Sequence, residues 1–180
     1  MAVTLTACTR AEERPDRQTA RDHSTDPVVV SPRDTGATLA ALARSVATIE
    51  RDTAVMEVTQ RPVALGAGTH GLLTGWRTGP VWRRLRVESE GPQFTAVDDY
   101  WYSNGAFLGA TLTLRRVRRT AAIDSVWFLD GSLYRWTDAV GRTLNPDARS
   151  TTYQVQMMQA RLDTLLQLLS ANDAVRRPAR

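Results

Sequence analysis

The chain has 180 residues, 42% of them hydrophobic and 23% charged, with a formal net charge of +4. That is the size of one domain with room for a tail, and no run approaches the ~20 apolar residues of a membrane-spanning helix. All 23 basic residues are arginine, a bias that codon composition explains, and the single cysteine excludes an internal disulfide, so the fold must rest on its core.

That cysteine sits early, in Thr4-Leu5-Thr6-Ala7-Cys8. Leu5-Thr6-Ala7-Cys8 resembles a bacterial lipobox, in which a leucine and two small residues precede a cysteine that becomes the lipidated first residue. The resemblance implies acyl chains on Cys8, burying in a bilayer at ~0.8 kcal/mol per CH₂. By likeness to enterobacterial sorting, Thr9 in place of an aspartate implies the outer membrane, facing the periplasm. Only Met1 to Thr4 precede the motif. A signal peptide needs an apolar stretch of about 7–15 residues, so this reading places the true start upstream of Met1. The expected organisation is a signal remnant over 1–8, a disordered tether over 9–33, one α+β domain over 34–172 and a disordered basic tail over 173–180. The tether is rich in Arg, Asp, Glu, Thr and Pro, a composition unable to bury enough surface to fold. Val28-Val29-Val30 is its one β-prone run. Its average reach is about 25–30 Å.

Leu39, Leu42, Val46 and Ile49 step by three and four, which predicts a helix from about 36 to 51, capped by Asp34 or Thr35. At the far end Val155, Met158, Leu162, Leu165 and Leu169 form a second stripe, widened by Tyr153 and Leu166, with Ser150 or Thr151 as cap and Asn172 as stop. Between them, strands are expected near 54–60, 70–77, 81–89, 93–103, 106–116, 123–129 and 132–138. Thr78-Gly79, Asn104-Gly105 and Asp130-Gly131 are turn signals, and their glycines are 26 residues apart. Two-residue turns there pair Trp76 with Val81, Tyr102 with Phe107 and Phe128 with Leu133. The fold class is therefore α+β: a curved antiparallel β-meander of about six or seven strands flanked by an N-terminal and a C-terminal helix, both helices expected on one sheet face. Leu108, Ala110, Leu112 and Leu114 share a face; Val81, Leu85 and Val87 oppose Trp82, Arg84 and Arg86. Parity does not carry these sets onto one side, and a bulge near Gly91-Pro92 is the expected remedy.

Tyr100-Trp101-Tyr102-Ser103-Asn104-Gly105 and Trp127-Phe128-Leu129-Asp130-Gly131-Ser132-Leu133 resemble the aromatic Asn/Asp-Gly hairpins of many uncharacterised secreted bacterial lipoproteins, over roughly residues 76–138. They are also similar to the Tyr-x-x-Gly hairpins of MORN-like repeats. Neither resemblance implies an activity.

No catalytic constellation is readable. His70 stands alone among glycines, Asp98 and Asp99 point to opposite faces of a strand, and Asp99 is a candidate buried partner for an arginine. The Gly66–Gly71 cluster opens no helix and is no phosphate fingerprint. No cofactor and no metal are expected. The candidate contacts for an anion or glycan are Arg84, Arg86, Arg115, Arg116, Arg118 and Arg119, with Trp82 and Trp101. Tryptophan faces stack sugars and guanidinium groups bind anions bidentately. The reading that follows is a lipid-anchored, non-enzymatic binding or structural module of the bacterial cell envelope, meeting an anionic glycan or lipid headgroup. The rival is a soluble intracellular module whose Arg-rich strand ends bind an acidic partner or nucleic acid. A third reading, an enzyme in an open cone of strands, requires a cleft containing Asp99 or His70.

Overall fold

A computed structural model describes residues 36–66 and 68–171. Cys8, the tether, the caps Asp34 and Thr35, the stop Asn172 and the basic tail lie outside the described residues. Helix α1 (Gly36–Asp52) and a 3₁₀ turn (Thr53–Val55) lead into seven strands: β1 (Glu57–Gly66), β2 (Thr69–Thr78), β3 (Val81–Gly91), β4 (Phe94–Ser103), β5 (Ala106–Arg116), β6 (Ala122–Leu129) and β7 (Ser132–Thr137). Helix α2 (Arg149–Ser170) closes the domain. The sheet is an open antiparallel meander in the order β1 to β7, an α+β arrangement. The first strand starts later and runs longer than expected. Pro62 is tolerated inside it because β1 is an edge.

Asn104 and Gly105 both take positive φ (50° and 80°), as do Asp130 and Gly131 (51° and 77°), the backbone that tight hairpin turns require. Accordingly Tyr102 pairs with Phe107 and Phe128 with Leu133. The first hairpin differs by one residue. Its turn is Gly79-Pro80, so Thr78 pairs with Val81 and Arg77 with Trp82, and Trp76 does not meet Val81.

Two pairs in from each of these turns the register slips. Arg83, Leu108 and Tyr134 are the extra residues, lying between Trp82 and Arg84, Phe107 and Gly109, and Leu133 and Arg135. No such slip occurs at Gly91-Pro92, where Gly91 pairs regularly with Phe94. Each bulge flips the residues on its turn side relative to the rest of the strand. Leu108 therefore leaves the face of Ala110, Leu112 and Leu114, and Trp82 joins the face of Leu85 instead of opposing it.

The two helices pack on opposite faces of the sheet, not on one. Val46 and Ile49 of α1 close over Trp101, with Met56, Leu108 and Trp127 around them. Met158, Leu162, Leu165 and Leu169 of α2 close over Leu73, Leu85, Tyr100, Val126, Phe128 and Trp136. Burying each such side chain is worth about 1.5–3 kcal/mol. Phe107 ties two hairpins together on this side, its ring 5.5 Å from Tyr102 and 5.0 Å from Phe128. The expected α2 stripe is the buried one, with two corrections. Tyr153 is 62% exposed, and Thr151 is buried inside the first turn, not a cap. The helix begins a little earlier than expected, with Ala148 as its N-cap, and Asn145 forms the turn before it, accepting from the amides of Asp147 through its side chain and of Ala148 through its carbonyl.

Gly75 lies under this core. A Cβ there would stand 2.6 Å from both Leu169 Cδ1 and the Trp82 ring. Gly75→Ala is expected to cost about 1–3 kcal/mol, seen as a lower urea midpoint at unchanged m. An unchanged midpoint would contradict this packing.

Candidate functional site

Pleating divides Asp98 and Asp99 between the two faces. Asp99 lies on the α1 face, opposite Arg86 on β3. Arg84 donates Nε and Nη2 to its Oδ1 at 3.0 and 2.7 Å; Arg86 donates Nε to Oδ1 at 3.0 Å and Nη2 to Oδ2 at 2.8 Å. Arg84 also stacks 4.9 Å over the ring of Trp76 and approaches Glu50 of α1 at 3.8 Å. The hydrogen bonds that Arg86 donates to Asp99 hold its guanidinium above its ordinary pKa. One carboxylate thus serves two guanidiniums, and the expected arginine partner of Asp99 is a pair.

Asp98 lies on the α2 face, where Arg161 reaches down from the helix to its Oδ2 at 2.8 Å. Burial raises the Asp98 carboxyl above the usual range, against the pull of Arg161. Burial likewise raises the phenols of Tyr100 and Tyr102, with Asp98 and Asp163 adding to it. Two strands along, Asp124 accepts from the Trp136 indole at 3.0 Å. Asp98, Asp124 and Arg161 form the inner end of a cleft of about 640 Å³ on the α2 face, walled by Phe94, Ala96, Leu112, Leu114 and Ala122 together with Leu65, Thr69, Ser89 and Thr113. It exists because α2 covers only part of the sheet. The row through Leu85, Tyr100, Ala110 and Val126 is buried beneath the helix, whereas Ala96, Leu114 and Ala122 stay half-exposed.

Arg115 and Arg116 end β5, and Arg118 and Arg119 follow in the loop to β6, with Arg118 at φ 59°. All four are exposed, and among the described residues none of their side chains is hydrogen-bonded or ion-paired. They gather with the β3–β4 turn, where Val117 donates its amide to Gln93, and one carboxylate, Glu90, shares the corner. Val117 stands 66% exposed in their midst.

The eight candidate contact residues are therefore not one site. Arg84 and Arg86 are consumed by Asp99 on the α1 face. Trp101 is 5% exposed beneath α1, too deep to stack a sugar. Trp82 is half-buried, with Arg77 5.6 Å over its ring. Only Arg115, Arg116, Arg118 and Arg119 stand together in solvent. His70 and Asp99 do not line the cleft; His70 is exposed on the opposite face, in register with Glu90. Among the described residues, no group of three or more His, Cys, Asp or Glu side chains is placed to hold a metal ion, and no helix is long and apolar enough to cross a membrane.

Sequence reasoning placed Asp98 on the face opposite Asp99 but passed over its pairing with Arg161, and passed over Asp124 altogether. A signal was present: Asp98 alternates with Tyr100 and Tyr102, so it shares their buried face, and Arg161 adjoins Leu162 on the edge of the α2 stripe. Comparison with family models, curated proteins and solved structures finds no match for the chain.

Asp99→Asn is expected to cost about 3 kcal/mol, the low end for breaking a buried pair, in urea denaturation at neutral pH. A loss below about 1 kcal/mol would be that of an exposed pair. Arg161→Leu is expected to cost about 1–3 kcal/mol at neutral pH by leaving the Asp98 carboxylate unpaired. The sign with pH follows from a folded-state pKa above the unfolded one. The ionised form is penalised above the folded pKa, and protonation on acidification relieves it. The deficit of Arg161→Leu against the wild type should shrink from about pH 7 towards about pH 4.5; a constant deficit would break the link to Asp98.

Proposed function

We propose that the chain is a non-enzymatic binding module of the bacterial cell envelope. Acyl chains on Cys8 tether it to the periplasmic face of the outer membrane, and the Arg115–Arg119 corner meets anionic lipid headgroups. The observation that carries this reading is that corner: four exposed guanidiniums without side-chain partners, beside one carboxylate. A charged strand end that merely discourages edge pairing has no need to be there, since β5 is interior to the sheet. Val117 supports the choice of lipid over glycan, because an exposed aliphatic among cations suits the headgroup boundary.

Each basic residue at an anionic surface is worth about 1 kcal/mol. Replacing Arg115, Arg116, Arg118 and Arg119 together by glutamine is therefore expected to weaken binding to phosphatidylglycerol vesicles by roughly 10²–10³-fold, with little change on phosphatidylcholine. Vesicle co-sedimentation of the full chain at low salt measures it, and added salt should weaken the wild type. Unaltered sedimentation of the glutamine variant would remove the headgroup contact. Tighter binding to duplex DNA than to vesicles at equal salt would favour the soluble rival. The anchor is tested separately, by labelling cells with a palmitate analogue from the full gene: label on the wild type and none on Cys8→Ser is the expected pair of results.

A further inference from the structure

The cleft on the α2 face is unused by the reading above. Its walls are largely apolar, with Thr69, Ser89 and Thr113 among them, and its volume of about 640 Å³ falls in the range of small-molecule sites. Its two ends differ in charge. At the inner end the groups are already engaged: Asp98 with Arg161, and Asp124 with the Trp136 indole. An anion placed there would face two carboxylates. The outer end is set by Phe94, which walls both the cleft and the basic corner. Arg116 pairs in register with Phe94, and along β5 it follows Leu112 and Leu114 on the same face. The cleft is thus an apolar trough that opens beside unpaired cations.

We propose that this trough binds a long-chain fatty acid, its hydrocarbon chain along Ala96, Leu114 and Ala122 and its carboxylate at Arg116. Charge complementarity at the mouth selects the anionic head, and the apolar lining selects the chain. The charged groups at the inner end keep their own partners, so an alkyl chain in the trough displaces none of them. The site shares Arg116 with the proposed membrane contact, and its tests are chosen to separate the two.

Calorimetric titration of the full chain with dodecanoate and dodecyltrimethylammonium below their micelle concentrations and dodecanol below its solubility limit holds the chain constant and varies the head. Dodecanoate is expected to bind at least about ten-fold tighter than dodecanol, the worth of one charge-assisted contact, and the ammonium compound weakest. Ala96→Trp and Ala122→Trp, on different strands, fill the trough and should each weaken dodecanoate by about ten-fold or more while leaving vesicle sedimentation unchanged. Arg116→Glu should remove the preference for dodecanoate over dodecanol. No measurable dodecanoate binding, wild-type affinity in both tryptophan variants, or a preference for the ammonium compound would each overturn the proposal. Chain binding without vesicle binding would retain this site and remove the headgroup contact; the reverse would do the opposite.

Discussion

One extra residue in the second strand of each of three hairpins, β2–β3, β4–β5 and β6–β7, governs this molecule. Side chains along a strand alternate with period two, so a single inserted residue exchanges the faces on one side of it. Arg83, Leu108 and Tyr134 are those residues, each just beyond the second pair from a two-residue turn. On the unbulged strand opposite them stand Trp76, Trp101 and Trp127, all on the α1 face. Nearer the turns stand the pairs Arg77–Trp82, Tyr102–Phe107 and Phe128–Leu133. The adjacent residues Trp101 and Tyr102 accordingly serve two cores, one under each helix. Without the bulges, the apolar residues of β3 and β5 near the turns would face the wrong helix.

The two faces that result differ in how they handle charge. On the α1 face a carboxylate is shared by two guanidiniums, one of them stacked on Trp76 and approaching Glu50 of α1. Such a cluster is costly to break because either partner alone would be stranded. The α2 face keeps its charges at the border where the helix stops covering the sheet. There Arg161 spans from the helix edge to Asp98, its own side chain partly in solvent. The one-residue step from Asp98 to Asp99 joins these two regimes through a single peptide unit.

Much of this was legible in the residues. The order of elements, the Asn-Gly and Asp-Gly turns, and the α1 and α2 stripes follow from local chemistry, since turn φ and helical period are properties of short segments. The Tyr102–Phe107 and Phe128–Leu133 pairs follow too, because a two-residue turn sets its own register. Sidedness did not follow. Nothing in Arg83, Leu108 or Tyr134 marks it as the inserted residue, and Gly91-Pro92, which looks like a break, is an ordinary tight turn. With parity lost, Trp101 stood as a candidate contact and Leu108 as a neighbour of Ala110. The charged candidates failed for a related reason: whether an arginine is free depends on which carboxylate the sheet places opposite it. Arg84 and Arg86 meet Asp99 across β3 and β4, and no local pattern distinguishes them from Arg115 and Arg116.

That distinction orders the functional chemistry. A net charge of +4 says only that some cations lack partners. Pairing in the folded sheet removes Arg84, Arg86 and Arg161 from that pool and leaves a group at the end of β5. The same end of the sheet is where α2 no longer covers the strands, because the helix packs across the rows of Leu85, Tyr100 and Val126 and leaves Ala96, Leu114 and Ala122 open. Uncompensated positive charge and uncovered apolar surface therefore meet at Phe94. A protein surface that offers both at one place is complementary to a molecule that carries a negative head on an apolar tail, whether that molecule lies in a bilayer or enters the trough alone.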